Sequence, residues 1–157
     1  MRESLLLLIV ISFTSCDSLN NNTSSIAVLE CADNQELIDI FESDQADRTP
    51  GNYNRDTINY NDSIREARVY ELLEAGKVRT ANDYTNAGLI FHHGEDSVAY
   101  ALAVKLLTKA IEMDTAVNKW FLACATDRYL LSIEKPQIYG THFKRGEDNI
   151  VFRRAFD

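Results

Sequence analysis

Apolar positions at helical spacing, broken by polar stretches rich in Gly, Pro, Asn and Asp, run along most of this chain. A first helix is predicted over 26–43, with Leu29, Leu37, Ile40 and Phe41 inward. The DQADR stretch and Pro50-Gly51 then read as a loop, and 52–62 stays loop-like because it is rich in Asn and Asp. A second helix follows over 64–75 behind an Asp62 or Ser63 cap, burying Ile64, Ala67, Val69 or Arg68, Leu72 and Ala75 until Gly76 stops it. Thr80 with Asp83 three residues on resembles a capping box with Asp in place of Glu. It starts a third helix over 81–93, with Tyr84, Ala87, Gly88 and Phe91 inward. The fourth, 98–113 after an Asp96 or Ser97 cap, carries the stripe Ala99, Leu102, Ala103, Leu106, Ala110 and Met113. The fifth, 116–132 after an Asp114 or Thr115 cap, puts Ala116, Trp120, Ala123, Cys124 and Leu131 on one face. Pro136 keeps it from continuing, because the residue before Pro is driven out of the α region. Alternation over 149–156 predicts a strand that pairs with 138–143 as a hairpin. The expected fold is mainly α: a bundle of about five helices, with the fourth and fifth as a helical hairpin and a small C-terminal β-hairpin.

The N-terminus has a different pattern. Arg2 precedes the apolar run 5–11, and Ser12-Phe13-Thr14-Ser15-Cys16 follows. The run is too short to span a membrane and fits a signal peptide. Small residues directly before a Cys resemble the bacterial lipoprotein signal, which makes Cys16 the lipidation site. Residues 1–15 are then a signal peptide, 16–25 a lipid-anchored polar tether (DSLNNNTSS after the Cys), and 26–157 a single helical domain. Acyl chains on Cys16 place the protein on a membrane of the bacterial cell envelope without spanning it. A net charge of −8 with no Lys/Arg cluster excludes nucleic acid as a partner, and also a membrane contact made by charge alone. Export permits a disulfide between Cys31 and Cys124, but their expected helical positions favour buried thiols.

Candidate chemistry sits at helix ends. Asp127 lies seven residues after Trp120, on the same side of the fifth helix, and a carboxylate there must be paired, hydrogen-bonded or protonated. It reads either as a structural group tied to a loop or as a ligand-facing one. Gln137, Tyr139, Thr141 and His142 follow in a segment dense in donors and acceptors. Asp44, Gln45, Asp47 and Arg48 form either a solvated turn or one wall of a polar site. His92 and His93 close the third helix, where imidazoles can satisfy free carbonyls or serve a site. No HExxH or CxxC spacing is present, so no metal and no cofactor are expected.

These stretches together resemble the DUF6624 family of bacterial proteins. The similarity rests on Asp44 to Arg48 (DQADR), Arg65-Glu66-Ala67-Arg68-Val69, Ala87 to Gly94 (AGLIFHHG), Asp127-Arg128-Tyr129-Leu130, and Pro136-Gln137 with Tyr139-Gly140-Thr141. The family usually has Gln-His near 92–93, so the His match falls on His93, and His142 stands where it has Gln. The resemblance implies a shared helical fold and no particular activity. It also implies which residues a site would use: Asp44, Gln45, Asp47, Arg48, His93, Asp127, Arg128, Gln137, Tyr139 and Thr141. One reading is a membrane-tethered module that binds a protein or small ligand in a polar groove near Asp127 and the 136–141 segment. The other is a hydrolase-like enzyme with His93 and Asp127 as its general acid/base pair and Arg48 or Arg128 on an anionic substrate.

Overall fold

The computed structural model describes residues 31–51, 54–145 and 151–153. The expected signal segment, Cys16 and tether, and the start of the first predicted helix, lie outside them. The architecture is mainly helical, with α1 Gln35–Asp47, α2 Arg55–Glu74, α3 Ala81–His92, α4 Ser97–Met113 and α5 Lys119–Ser132. No described helix is long and apolar enough to cross a membrane.

Helix α3 is the centre, packed against each of the other four. Its sequence requires that position: Ala87 to Phe91 is apolar on every side, and such a helix must be covered all round. Gly88 makes the covering possible, since a Cβ there would lie 2.7 Å from Leu107 Cγ on α4. Leu37, Val69, Phe91, Ala103, Leu107 and Ala125 bring all five helices into one core.

The capping box is present. Thr80 Oγ1 accepts from the Asp83 N–H at 3.0 Å, and Asp83 Oδ2 accepts from the Thr80 and Arg79 N–H groups at 3.1 and 2.9 Å. Asp83 Oδ1 also accepts from the Asn34 N–H at 2.8 Å, and the Asn34 side chain caps α1. One buried carboxylate therefore joins the starts of two helices.

Several expectations give way. Helix α1 begins at an Asn34 cap and runs on to Asp47, so DQADR is its last turn and not a loop. Helix α2 begins nine residues earlier than the expected Ile64, because Asn54 accepts from the Thr57 N–H at 3.1 Å and supplies the cap. Its buried stripe is Ile58, Asp62, Arg65, Val69 and Leu72, leaving Ile64, Ala67 and Ala75 exposed. Helix α5 starts after Asn118, and Trp120 and Met113 are 56 % and 46 % exposed instead of buried. Both flank the turn between α4 and α5. Cys31 and Cys124 are free thiols, Cys31 exposed and Cys124 half-buried. The first strand expected over 138–143 is absent from 138–142, whose backbone is held by Asp127 instead of by a neighbouring strand.

Candidate functional site

Two polar assemblies stand where single candidates were expected. The first clasps the segment after α5. Asp127, fully buried, receives the Ile138 and Tyr139 N–H groups on Oδ1 at 2.8 and 2.9 Å. Its Oδ2 takes the Thr141 N–H and hydroxyl at 2.8 and 2.9 Å. Burial alone would raise this carboxyl's pKa, but the Tyr139 and Thr141 N–H groups, the Thr141 hydroxyl and the Ile138 N–H outweigh it and hold the pKa below the ordinary value. Gln137, also buried, closes the same loop from inside: its Nε2 donates to the His142 carbonyl at 3.1 Å and its Oε1 accepts from the His142 N–H at 2.8 Å. Gly140 carries a φ of 67°, which lets the chain double back toward the carboxylate. Tyr139 contributes its backbone while its ring is 54 % exposed. Both oxygens of Asp127 are therefore taken by the chain's own N–H groups and the Thr141 hydroxyl.

The second assembly joins α1, α2 and the end of α3. Asp44 is fully buried and receives His93 Nδ1 at 2.9 Å on Oδ2 and 3.1 Å on Oδ1. Gln45 Nε2 donates to Asp44 at 2.7 Å and Arg48 pairs with it at 2.8 Å. Arg48 reaches on to Asp62 at 2.5 Å, and Asp62 accepts from Arg65 at 2.9 Å. Arg65, 7 % exposed, also holds Asp47 and donates to the Ser43 carbonyl at 3.2 Å. The Asp47 pKa is lowered by its bond from Arg65 and then by that from Asn61. His93 thus pairs with Asp44 and not with Asp127, so the His93–Asp127 pair of the alternative hydrolase-like reading is not formed. A carboxylate accepts, so His93 Nδ1 carries the proton and Nε2 is the nitrogen left over.

That nitrogen belongs to a side chain 19 % exposed, on the wall of a polar cavity of about 720 Å³. Arg48, Arg55, Asn59, Asp62, Glu95, Tyr100 and Arg128 share the wall. Arg128 comes from α5: its NH1 donates to the His92 carbonyl at 2.7 Å and its Nε to His142 Nε2 at 3.3 Å. Its guanidinium lies 5.7 Å from the Tyr100 ring centroid. Burial pushes the Tyr100 hydroxyl pKa up. Just behind the rim, burial and then Asp96, Asp62 and Glu95 raise the Glu66 pKa. Gly94 is needed at this corner, because a Cβ would meet the Ala99 Cβ at 2.6 Å and Glu66 Oε2 at 3.0 Å. No group of three or more His, Cys, Asp or Glu among the described residues could hold a metal ion.

His92 lies between the assemblies. Its Nδ1 is buried with no hydrogen-bond partner among the described residues, and burial followed by the Arg128 charge lowers its pKa to about 2. It stays neutral in the fold.

Of the predicted residues, the structure brings Asp44, Gln45, Asp47, Arg48 and His93 into one network. It adds Arg128 across the cavity and leaves Asp127, Gln137, Tyr139 and Thr141 to the clasp. Arg55, Asp62, Arg65 and Tyr100 were not foreseen as site residues. For Asp62 and Arg65 a signal exists: both fall on the period of Ile58, Val69 and Leu72, so two charges on an apolar stripe announce a buried pair. No protein-family model, curated protein or solved structure matches the chain.

Proposed function

We propose that this chain is a membrane-tethered helical domain whose polar cavity binds a small oxyanion. One observation supports it most directly: Arg55, Arg128 and the Asp44-oriented His93 face the same cavity in a protein of net charge −8. Planar guanidiniums match carboxylate and phosphate oxygens bidentately. Arg48 is committed to Asp44 and Asp62, and Arg128 to the His92 carbonyl and His142, so both brace the wall and lend it charge while Arg55 meets the ligand. The earlier groove near Asp127 moves, on this reading, to the cavity on the His93 side.

Calorimetric titration of the whole chain with inorganic phosphate and with succinate, at low salt, tests this. One of them should bind, and Arg55→Ala should abolish the binding, since Arg55 is exposed and its loss spares the core. If neither anion binds, or if Arg55→Ala binds as well as the wild type, the reading is wrong.

Anchoring through lipidated Cys16 and a place in the cell envelope belong to the same proposal, as does kinship with the DUF6624 family, which the ordered motifs from Asp44 to Thr141 support. Cys16→Ala should move the protein from the membrane fraction to the soluble one. A C-terminal hairpin is proposed in shorter form, with Phe143 opposite Arg153 and Arg145 opposite Val151. Slowed amide exchange at those positions would support it.

A further inference from the structure

We infer that His93 Nε2 is a phosphoryl acceptor, and that the cavity takes small phosphate monoesters or acyl phosphates. This deepens the oxyanion reading and rests on it.

The inference follows from what the cavity wall contains. Among the described residues its side chains are Arg, Asn, Asp, Glu, Ile, Tyr and His, with no Ser, Thr, Cys or Lys. Asp62 is taken by Arg48 and Arg65, and burial raises the pKa of the Tyr100 hydroxyl, which keeps it protonated. Glu95 is exposed, so among the described residues of the wall the His93 imidazole is the nucleophile held in a fixed direction. Its Nδ1 is fixed on a fully buried carboxylate, and that carboxylate is itself held by Gln45 and Arg48. Such bracing aims the Nε2 lone pair and removes the entropy of finding the direction. Arg55 and Arg128 supply charge for the transferring group's oxygens, which is most of what phosphoryl transfer asks of a protein.

The step balances within these groups. The Nε2 lone pair forms an N–P bond while the P–O bond to the leaving group breaks with its electron pair. The leaving oxygen departs as a carboxylate from an acyl phosphate, or takes a proton from solvent when it comes from an ester. The ring becomes cationic with its proton still on Nδ1, and the Asp44 carboxylate stabilises that charge. Water then forms an O–P bond, the N–P electrons return to Nε2, and the water proton leaves with inorganic phosphate or solvent. Asp44 is a positioning residue in this scheme, and His93 is the catalytic one.

The test uses the full chain with acetyl phosphate and with p-nitrophenyl phosphate as donors, quenched in alkali and mapped by mass spectrometry. An acid-labile phosphoryl group should appear on His93, with none on His92 or His142. Arg55→Ala should lower its rate of formation by at least about tenfold, and Asp44→Asn should shift the pH dependence of labelling. Phosphate that binds by calorimetry without any label on His93 from either donor overturns the inference and leaves the binding reading standing. Absence of both binding and label removes both. Label spread over His92 or His142, or unchanged in Arg55→Ala, marks adventitious modification and also overturns it.

Discussion

Asp127→Asn changes one oxygen into an amino group at the point where the chain after α5 is anchored. The amide can keep its oxygen on the Ile138 and Tyr139 N–H groups, which lie at 2.8 and 2.9 Å. Its NH₂ then faces the Thr141 N–H at the 2.8 Å position, donor against donor. The Thr141 hydroxyl can turn and accept, but the N–H cannot. One buried N–H left unsatisfied costs about 1–3 kcal/mol, and loss of the charge weakens the two retained bonds by roughly 0.5–1 kcal/mol each. Relief from burying a charge offsets part of this, so the net loss is about 3 kcal/mol, or roughly 6–12 °C in Tm for a chain of this size.

Thermal melts followed by circular dichroism, from about pH 7 to about pH 3, carry a second readout. The folded Asp127 pKa lies below the ordinary 3.8. Its contribution is therefore complete above about 3.8 and drains away as pH falls through the folded value. The gap between wild type and Asp127→Asn should close on acidification, while groups common to both cancel. A gap under about 2 °C at neutral pH, or one that stays constant down to pH about 3, would refute the clasp as a structural anion site.

Three further outcomes follow from the same geometry. Arg65→Ala should destabilise by about 3 kcal/mol in urea unfolding, since it takes the ion-pair partner from Asp47 and leaves buried Asp62 with Arg48 alone, and Arg65→Lys should recover only part because an ammonium cannot fork between the two carboxylates. Gly94→Ala should cost about 1–3 kcal/mol, because the new methyl meets the Ala99 Cβ on α4. His92 remains neutral in the fold down to about 2 but protonates near 6.5 in the unfolded chain, so the unfolded state binds the extra proton. Stability should fall by about 1.4 kcal/mol per pH unit below 6.5 on this account, and His92→Asn should flatten that slope in urea unfolding across pH 6 to 4 by about the same amount.

Local signals were legible in the sequence wherever a helix carries its own punctuation. Thr80 with Asp83, and Asp96 before Val98, announce two starts because capping is a contact within a few residues. Asp127 was expected to be buried because it shares a side of α5 with Trp120, but Trp120 is exposed and Asp127 is buried beside Ala125 instead. What defeated the reading was polarity used as a proxy for loop. Asn54 to Asp62 looks like a linker by composition, yet Asn54 caps a helix and Asp62 lies on its buried stripe. The same assumption made a loop of DQADR, which is a helical turn directed at α2 and α3. The partner of His93 was beyond reach for a different reason. Asp44 is 49 residues away, and nothing local distinguishes it from Asp47 or Asp127.

The two assemblies meet in Arg128, and that junction explains why adjacent residues on α5 have such different work. Asp127 faces inward and fixes the chain through 138–141, which sets the position of His142. Arg128, about 100° round the helix, bonds to His142 and to the His92 carbonyl at the end of α3. The next residue, His93, has its ring held by Asp44 from α1. Loosening the clasp therefore removes one support of a guanidinium on the cavity wall without touching the cavity. A variant such as Thr141→Val, which deletes the hydroxyl contacts to Asp127 and to His142 Nδ1, should weaken oxyanion binding as well as the fold. Arg55→Ala should weaken binding alone. That contrast separates a residue that holds the site in place from one that meets the ligand.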